Sequence, residues 1–114
     1  MELIRGDVVL SASSGDFGKP RPAVVVQSDL FNPTHSSVVI CPLTTHLVDA
    51  PLFRIPIQAE HGNGLKQESQ AMVDKVMGVR RDRIARKIGA LGLSQMEAIN
   101  RAMRVWLGLG SNTE

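Results

Sequence analysis

The chain reads as a mainly β fold with one helix, an α+β arrangement in which short antiparallel strands curl into a small sheet or barrel. Two patterns carry that reading. Short apolar runs recur over roughly the first ninety residues, each broken by Gly, Pro, Ser or Asn, and such clusters punctuate strands. A single stripe then follows: Met96, Ile99, Met103 and Trp106 at spacings of three, four and three, the period of one amphipathic helix. Many strands and one terminal helix pack as a curved sheet with a helix on it.

Taken in order, residues 6–12 (Gly-Asp-Val-Val-Leu-Ser-Ala) form a first strand, and residues 13–20 a polar loop with glycines on both sides of Phe17. Residues 21–27 form a second strand, and the unbroken Val24-Val25-Val26 implies burial on both faces. Asn32-Pro33-Thr34-His35 turns the chain into a third strand over residues 37–43, and Thr44-Thr45-His46 leads out of it into a loop lasting to about residue 50. Residues 52–57 alternate weakly, with Pro56 marking a sheet edge. After a turn at residues 61–64, extended pieces are expected at 69–73 and 75–79, one helical turn at 81–84 and a returning strand at 86–90. Ser94-Gln95-Met96-Glu97 fits a capping box that would start the helix at Ser94, and Gly108 and Gly110 close it.

At 114 residues, 43% hydrophobic and 21% charged, the chain has the size and composition of one globular domain. No apolar run approaches the roughly 20 residues that span a bilayer, and the charged strand pattern at the start is not that of a signal peptide. Cys41, the single cysteine, excludes an internal disulfide and fits a reducing cytoplasm. Between Ile40 and Pro42 it reads as a small buried hydrophobe rather than a nucleophile. Net charge is only +2, yet residues 75–104 hold eight basic residues against two acidic ones. That stretch suits an acidic protein segment or a nucleic acid, and a solvated face equally well. With three Phe, one Trp and no Tyr, an aromatic platform for non-specific single-strand binding is not supported.

The residues with most chemical content are Lys19-Pro20-Arg21-Pro22. Two prolines restrict the Arg21 backbone and hold a guanidinium at the lip of an apolar strand. Its planar fork and permanent charge suit a phosphate; the plainer alternative is a solvated arginine at a strand start. His35, His46 and His61 have neither a mutual i, i+4 spacing nor a cysteine partner, so no metal ligand set and no cofactor is expected. Phe17, between Gly15 and Gly18, can stack on an unpaired base or fold over the sheet.

Arg5-Gly6-Asp7-Val8, Lys19 through Asp29, Leu43-Thr44, and Glu68-Ser69-Gln70-Ala71-Met72-Val73-Asp74-Lys75-Val76 together resemble the MazF/PemK family of ribosome-independent endoribonuclease toxins (mRNA interferases). The resemblance runs in order from about residue 4 to residue 109, leaving 110–114 as a disordered tail. It implies an SH3-like barrel with a C-terminal helix, a homodimer, and an acidic antitoxin that neutralises the toxin. It also implies sequence-specific, metal-independent cleavage of single-stranded RNA by the adjacent 2′-hydroxyl, leaving a 2′,3′-cyclic phosphate and a 5′-hydroxyl.

By the same resemblance Arg21 and Thr44 match the family's catalytic arginine and threonine, and Asp74 an acidic position active in some relatives. Those relatives carry an arginine two residues before the acid, where this chain has Met72; Asp74 then orients Arg21 or accepts from the exocyclic amine of a base. Phe17, Gly18, Lys19, Thr45, His46, Ser69 and Gln70 are the candidate RNA contacts. Ser69 and Gln70 read equally as strand residues with solvated side chains. A competing reading keeps the fold and drops the chemistry. The ending Val105-Trp106-Leu107-Gly108-Leu109 loosely resembles the terminus with which CcdB, a non-enzymatic gyrase poison of the same fold, engages its target.

Overall fold

Seven strands and one helix follow the expected order in the computed structural model, which describes residues 1–12 and 19–110. The strands are β1 (Asp7–Ser11), β2 (Arg21–Val25), β3 (Ser37–Thr44), β4 (Arg54–Ile57), β5 (Ser69–Met72), β6 (Met77–Arg80) and β7 (Ile84–Ala90). The helix, α1, runs Leu93–Leu107. All pairings are antiparallel, in the order β4-β5-β3-β2-β1-β7. Strand β3 is the pivot. Its first half pairs with β6, from Ser37↔Arg80 to Ile40↔Met77, and its end pairs with β5 through Leu43↔Ala71 and Thr44↔Gln70. Register shifts between Val8 and Val9 and between Leu10 and Ser11 bend β1 against β7, and such bulges deepen the twist.

The sheet is strongly curved but not closed, the open form of the expected sheet or barrel. Strands β4 and β7 do not pair; the chain between β4 and β5 covers the gap instead. Ala90 N–H donates to the Gly62 carbonyl at 2.9 Å. The approach is so close that a Cβ on Gly89 would stand 2.4 Å from the Asn63 carbonyl carbon. Asn63, buried, holds this segment in place. Its amide donates to the Gln58 carbonyl at 2.8 Å, and its oxygen accepts from Glu60 N–H and Leu65 N–H, both at 3.1 Å.

Strand alternation splits the interior in two. Val8, Val24, Val26, Cys41 and Leu43 face the helix side, with Ile57, Val73 and Ile99. Val9, Ala23, Val25, Val38 and Ile40 fill the opposite face with Leu3, Val79 and Ile84. The valine run of β2 is therefore buried on both faces, as its pattern implies.

Two local expectations need correction. The helix is capped by Gly92 rather than Ser94: Gln95 Oε1 accepts from Gly92 N–H at 3.0 Å, and Leu93 is already helical. Glutamine at the third helical position makes the reciprocal half of a capping box, which leaves Ser94 and Glu97 exposed. The buried stripe is Met96, Ile99 and Ala102, with Met103 half-buried. Trp106 lies at the rim, half exposed and tilted against Phe53 with ring centres 5.4 Å apart. Gly108 ends the helix in the left-handed region at φ 70°. Of the expected tail at 110–114, residues 111–114 lie outside the described residues.

Candidate active site

Arg21 opens β2 and Thr44 ends β3. Their meeting follows from strand register. The ladder pairs Ala23↔Pro42, Val24↔Cys41 and Val25↔Ile40, and two further steps along it bring Arg21 level with Thr44. Alternation puts Arg21 on the face of Ala23, and Thr44 on that of Pro42. Pro22 costs no cross-strand bond here, because the β2–β3 ladder begins only at Ala23. Both residues line one cleft of about 320 Å³, together with Pro42, Leu43, Met72, Lys75 and Met77.

Thr44 is oriented within that cleft. Its Oγ1 accepts from the His46 backbone N–H at 3.1 Å. A hydroxyl carries one proton and two acceptor sites, so this turn engages a lone pair and leaves the O–H to donate. His46 lines neither this cleft nor the one described below; its backbone N–H is what reaches Thr44.

Asp74 and Lys75 part company on the 3-10 turn Val73–Lys75. Asp74 forms a two-point ion pair with Arg54, Oδ1 to Nε at 2.9 Å and Oδ2 to Nη2 at 3.2 Å, with only 18% and 13% of the two side chains exposed. The Arg54 guanidinium holds this carboxyl below its usual range against the opposing pull of desolvation, and the guanidinium is raised in return. Asp74 thus pairs with Arg54 rather than with Arg21, and it does not line the cleft. Lys75 does line it, exposed, and forms no ion pair among the described residues. No carboxylate is among the described lining residues, so the site is a cationic notch with a hydroxyl on one wall.

The remaining candidates divide. Thr45, next on β3's path, lines a second cleft of about 520 Å³ with Ser69. Ser69 and Gln70 are buried, at 3% and 8% exposure, which corrects the expectation of solvated side chains. Ser69 Oγ donates to the Gln67 carbonyl at 3.1 Å. The Gln70 amide clamps the chain after β3: its nitrogen donates to the Val48 carbonyl at 2.8 Å and its oxygen accepts from Val48 N–H at 3.1 Å. Lys19 is exposed ahead of β2, and Phe17 and Gly18 lie outside the described residues. Cys41 is fully buried and its thiol is pushed up to about 12, by burial and then by the Asp74 charge, so it is no nucleophile.

Lys75 and Arg54 were not singled out from sequence. A signal for Lys75 was its place directly after Asp74, but an extended reading of this segment hides the turn that sends the two charges to different neighbours.

Residues 4–107 match the PemK-like, MazF-like toxins of type II toxin–antitoxin systems. The chain belongs to this family. A probable endoribonuclease MazF of Mycolicibacterium smegmatis is 41% identical over 106 residues, spanning 92% of this chain and 96% of the relative. Among solved structures, Mycobacterium tuberculosis toxin MazF-mt6 superposes with a TM-score of 0.79 at 23% identity, covering 92% of this chain and 99% of that one. A mycobacterial endoribonuclease solved with its cognate antitoxin gives 0.79 at 22% identity, covering 96% and 98%. The chain is accordingly an endoribonuclease toxin of that family. Among the described residues no helix is long and apolar enough to cross a membrane.

Proposed function

We propose that the Arg21–Thr44–Lys75 cleft receives the scissile phosphodiester of single-stranded RNA and cleaves it without a metal ion. The 2′-oxygen of the preceding ribose forms a bond to phosphorus and loses its proton. The bond to the 5′-oxygen breaks, and that oxygen takes up a proton. The products are a 2′,3′-cyclic phosphate and a 5′-hydroxyl. Charge grows on the non-bridging oxygens as phosphorus becomes five-coordinate. Fixed donors and cations aimed there are the most effective support a protein can offer. Arg21 supplies a two-pronged guanidinium, Thr44 a hydroxyl already oriented by His46 N–H, and Lys75 a point charge.

The observation that carries this reading is the cleft itself: two cations and a hydroxyl converge there, and the neighbouring carboxylate is occupied by Arg54. Asp74 accordingly holds the turn that presents Lys75. The curated relatives, named as endoribonucleases, favour this chemistry over a gyrase poison. We further propose a homodimer neutralised by an acidic antitoxin segment that folds over the basic clefts. The neighbouring structure solved with its cognate antitoxin supports that partner.

The test is cleavage of a long mixed-sequence RNA by purified protein in EDTA, followed by end-group analysis. Cyclic-phosphate ends are expected, together with loss of cleavage when the mapped site carries a single 2′-deoxy sugar. Cleavage that survives the 2′-deoxy substitution contradicts the mechanism.

A further inference from the structure

Arg21 and Thr44 each have an immediate neighbour that points to the other side of the sheet. Pro22 and Thr45 both line the second cleft, which at about 520 Å³ exceeds the first and falls within the range of small-ligand sites. Two clefts therefore open on opposite faces of the same strand ends, separated only by the start of β2 and the end of β3.

This second cleft is built rather than incidental. Its floor is a row across three strands, Pro22 opposite Leu10 and Leu10 opposite Arg86, continued along β7 by Ile88. Its far wall is the chain ahead of β5, pressed so tightly onto β7 that a Cβ on Gly64 would stand 2.3 Å from the Ile88 carbonyl oxygen. Gly64 also has a φ of 74°, which other residues rarely adopt, and Asn63 anchors the same segment by three hydrogen bonds. Over the aliphatic floor stand two exposed cations, Lys66 and Arg86, whose side chains form no hydrogen bond or ion pair among the described residues. The Gln67 side chain completes the rim, its backbone fixed by the Ser69 hydroxyl.

We propose that this cleft binds the base of a nucleotide adjacent to the cut and sets sequence preference at that position. The inference rests on the ribonuclease reading above. Unpaired RNA bases are recognised by their faces and edges together. Leu10, Pro22 and Ile88 offer an apolar surface to one face of the ring, and the planar Arg86 guanidinium can stack on it. The Gln67 amide and Thr45 hydroxyl offer donors and acceptors to its edge. Lys66 supplies charge for the flanking phosphate. A strand of RNA crossing the β2 and β3 ends would place one phosphodiester in the first cleft and a neighbouring base in the second.

Cut-site mapping on a randomised RNA library, with wild type, Gln67→Ala and Arg86→Ala, tests the assignment. Both residues are exposed, and circular dichroism checks that the variants fold. Wild type should show a defined motif. Each variant should lose about tenfold in discrimination at one motif position, with a raised KM and with the remaining positions unchanged. Variants that keep the full motif and the wild-type KM overturn the base site while leaving the ribonuclease reading intact. A wild-type protein that cuts nothing in the library overturns both.

Discussion

Two guanidiniums illustrate how differently one side chain can be employed within a single sheet. Arg54, on β4, is 13% exposed and locked by two hydrogen bonds onto Asp74. Arg21, on β2, stands exposed at a cleft shared with a hydroxyl and an ammonium. The first charge is neutralised inside the fold by Asp74; the second lines an exposed cleft. Asp74 and Lys75 repeat the lesson one residue apart, the carboxylate turned to Arg54 and the ammonium turned to the cleft. A charged residue's role is set by the partner its fold supplies, and neighbours in sequence can be given opposite roles.

Substituting the two arginines should separate these roles. Arg21→Ala is expected to slow RNA cleavage by about 100- to 1,000-fold, the usual cost of removing a transition-state donor, while urea denaturation stays near wild type. Arg54→Ala should do the reverse. It leaves the Asp74 carboxylate part-buried and unpaired, lowering stability by about 1.5–3 kcal/mol in urea melts, with cleavage intact at temperatures where the variant is folded. Equal effects of the two substitutions on both measurements would erase the contrast.

A pH series sharpens it. Because Arg54 lowers the folded-state pKa of Asp74, the pair's stabilisation is complete above the ordinary carboxylate range. It is lost as pH falls below that range, through the depressed folded value. Urea midpoints measured from neutral pH to about 3 should therefore drop less steeply in Asp74→Asn than in wild type. The smallest expected effect belongs to Lys75→Gln. As a point charge near one phosphate it should reduce cleavage several-fold and lower the salt-dependence slope of RNA binding by about 0.7. An unchanged slope would remove Lys75 from the phosphate site.

These contrasts also mark what a reader of the sequence can and cannot see. The pairing of Arg21 with Thr44 was within reach, since both sit at ends of strongly patterned apolar strands whose antiparallel register brings them level. The Arg5-Gly6-Asp7 motif was visible as a pattern but not as a function. Arg5 bonds to the Val26 carbonyl at 2.8 Å and to Asn100 on α1 at 2.5 Å, and the buried Asp7 meets Lys87 at 3.1 Å, so the motif ties β1 to its surroundings. The Arg54–Asp74 pair escaped because it spans 20 residues and depends on how β4 and β5 align. The seam between β4 and β7 escaped for a related reason: no strand propensity reports that a loop, held by Asn63, will occupy it. The helix start moved because Gln95 reaches back to Gly92, a competition between two caps that local preference alone does not decide.

The claim beneath all of this is that Arg21 and Thr44 act on one phosphodiester. A double-mutant cycle reads that directly, from single-turnover cleavage by wild type, Arg21→Ala, Thr44→Val and the double variant. Residues working on a single transition state are strongly non-additive, so the double variant should lose little more than the worse single one. Losses that multiply would mean that the two side chains serve separate steps or separate sites, and the shared cleft would have no catalytic meaning.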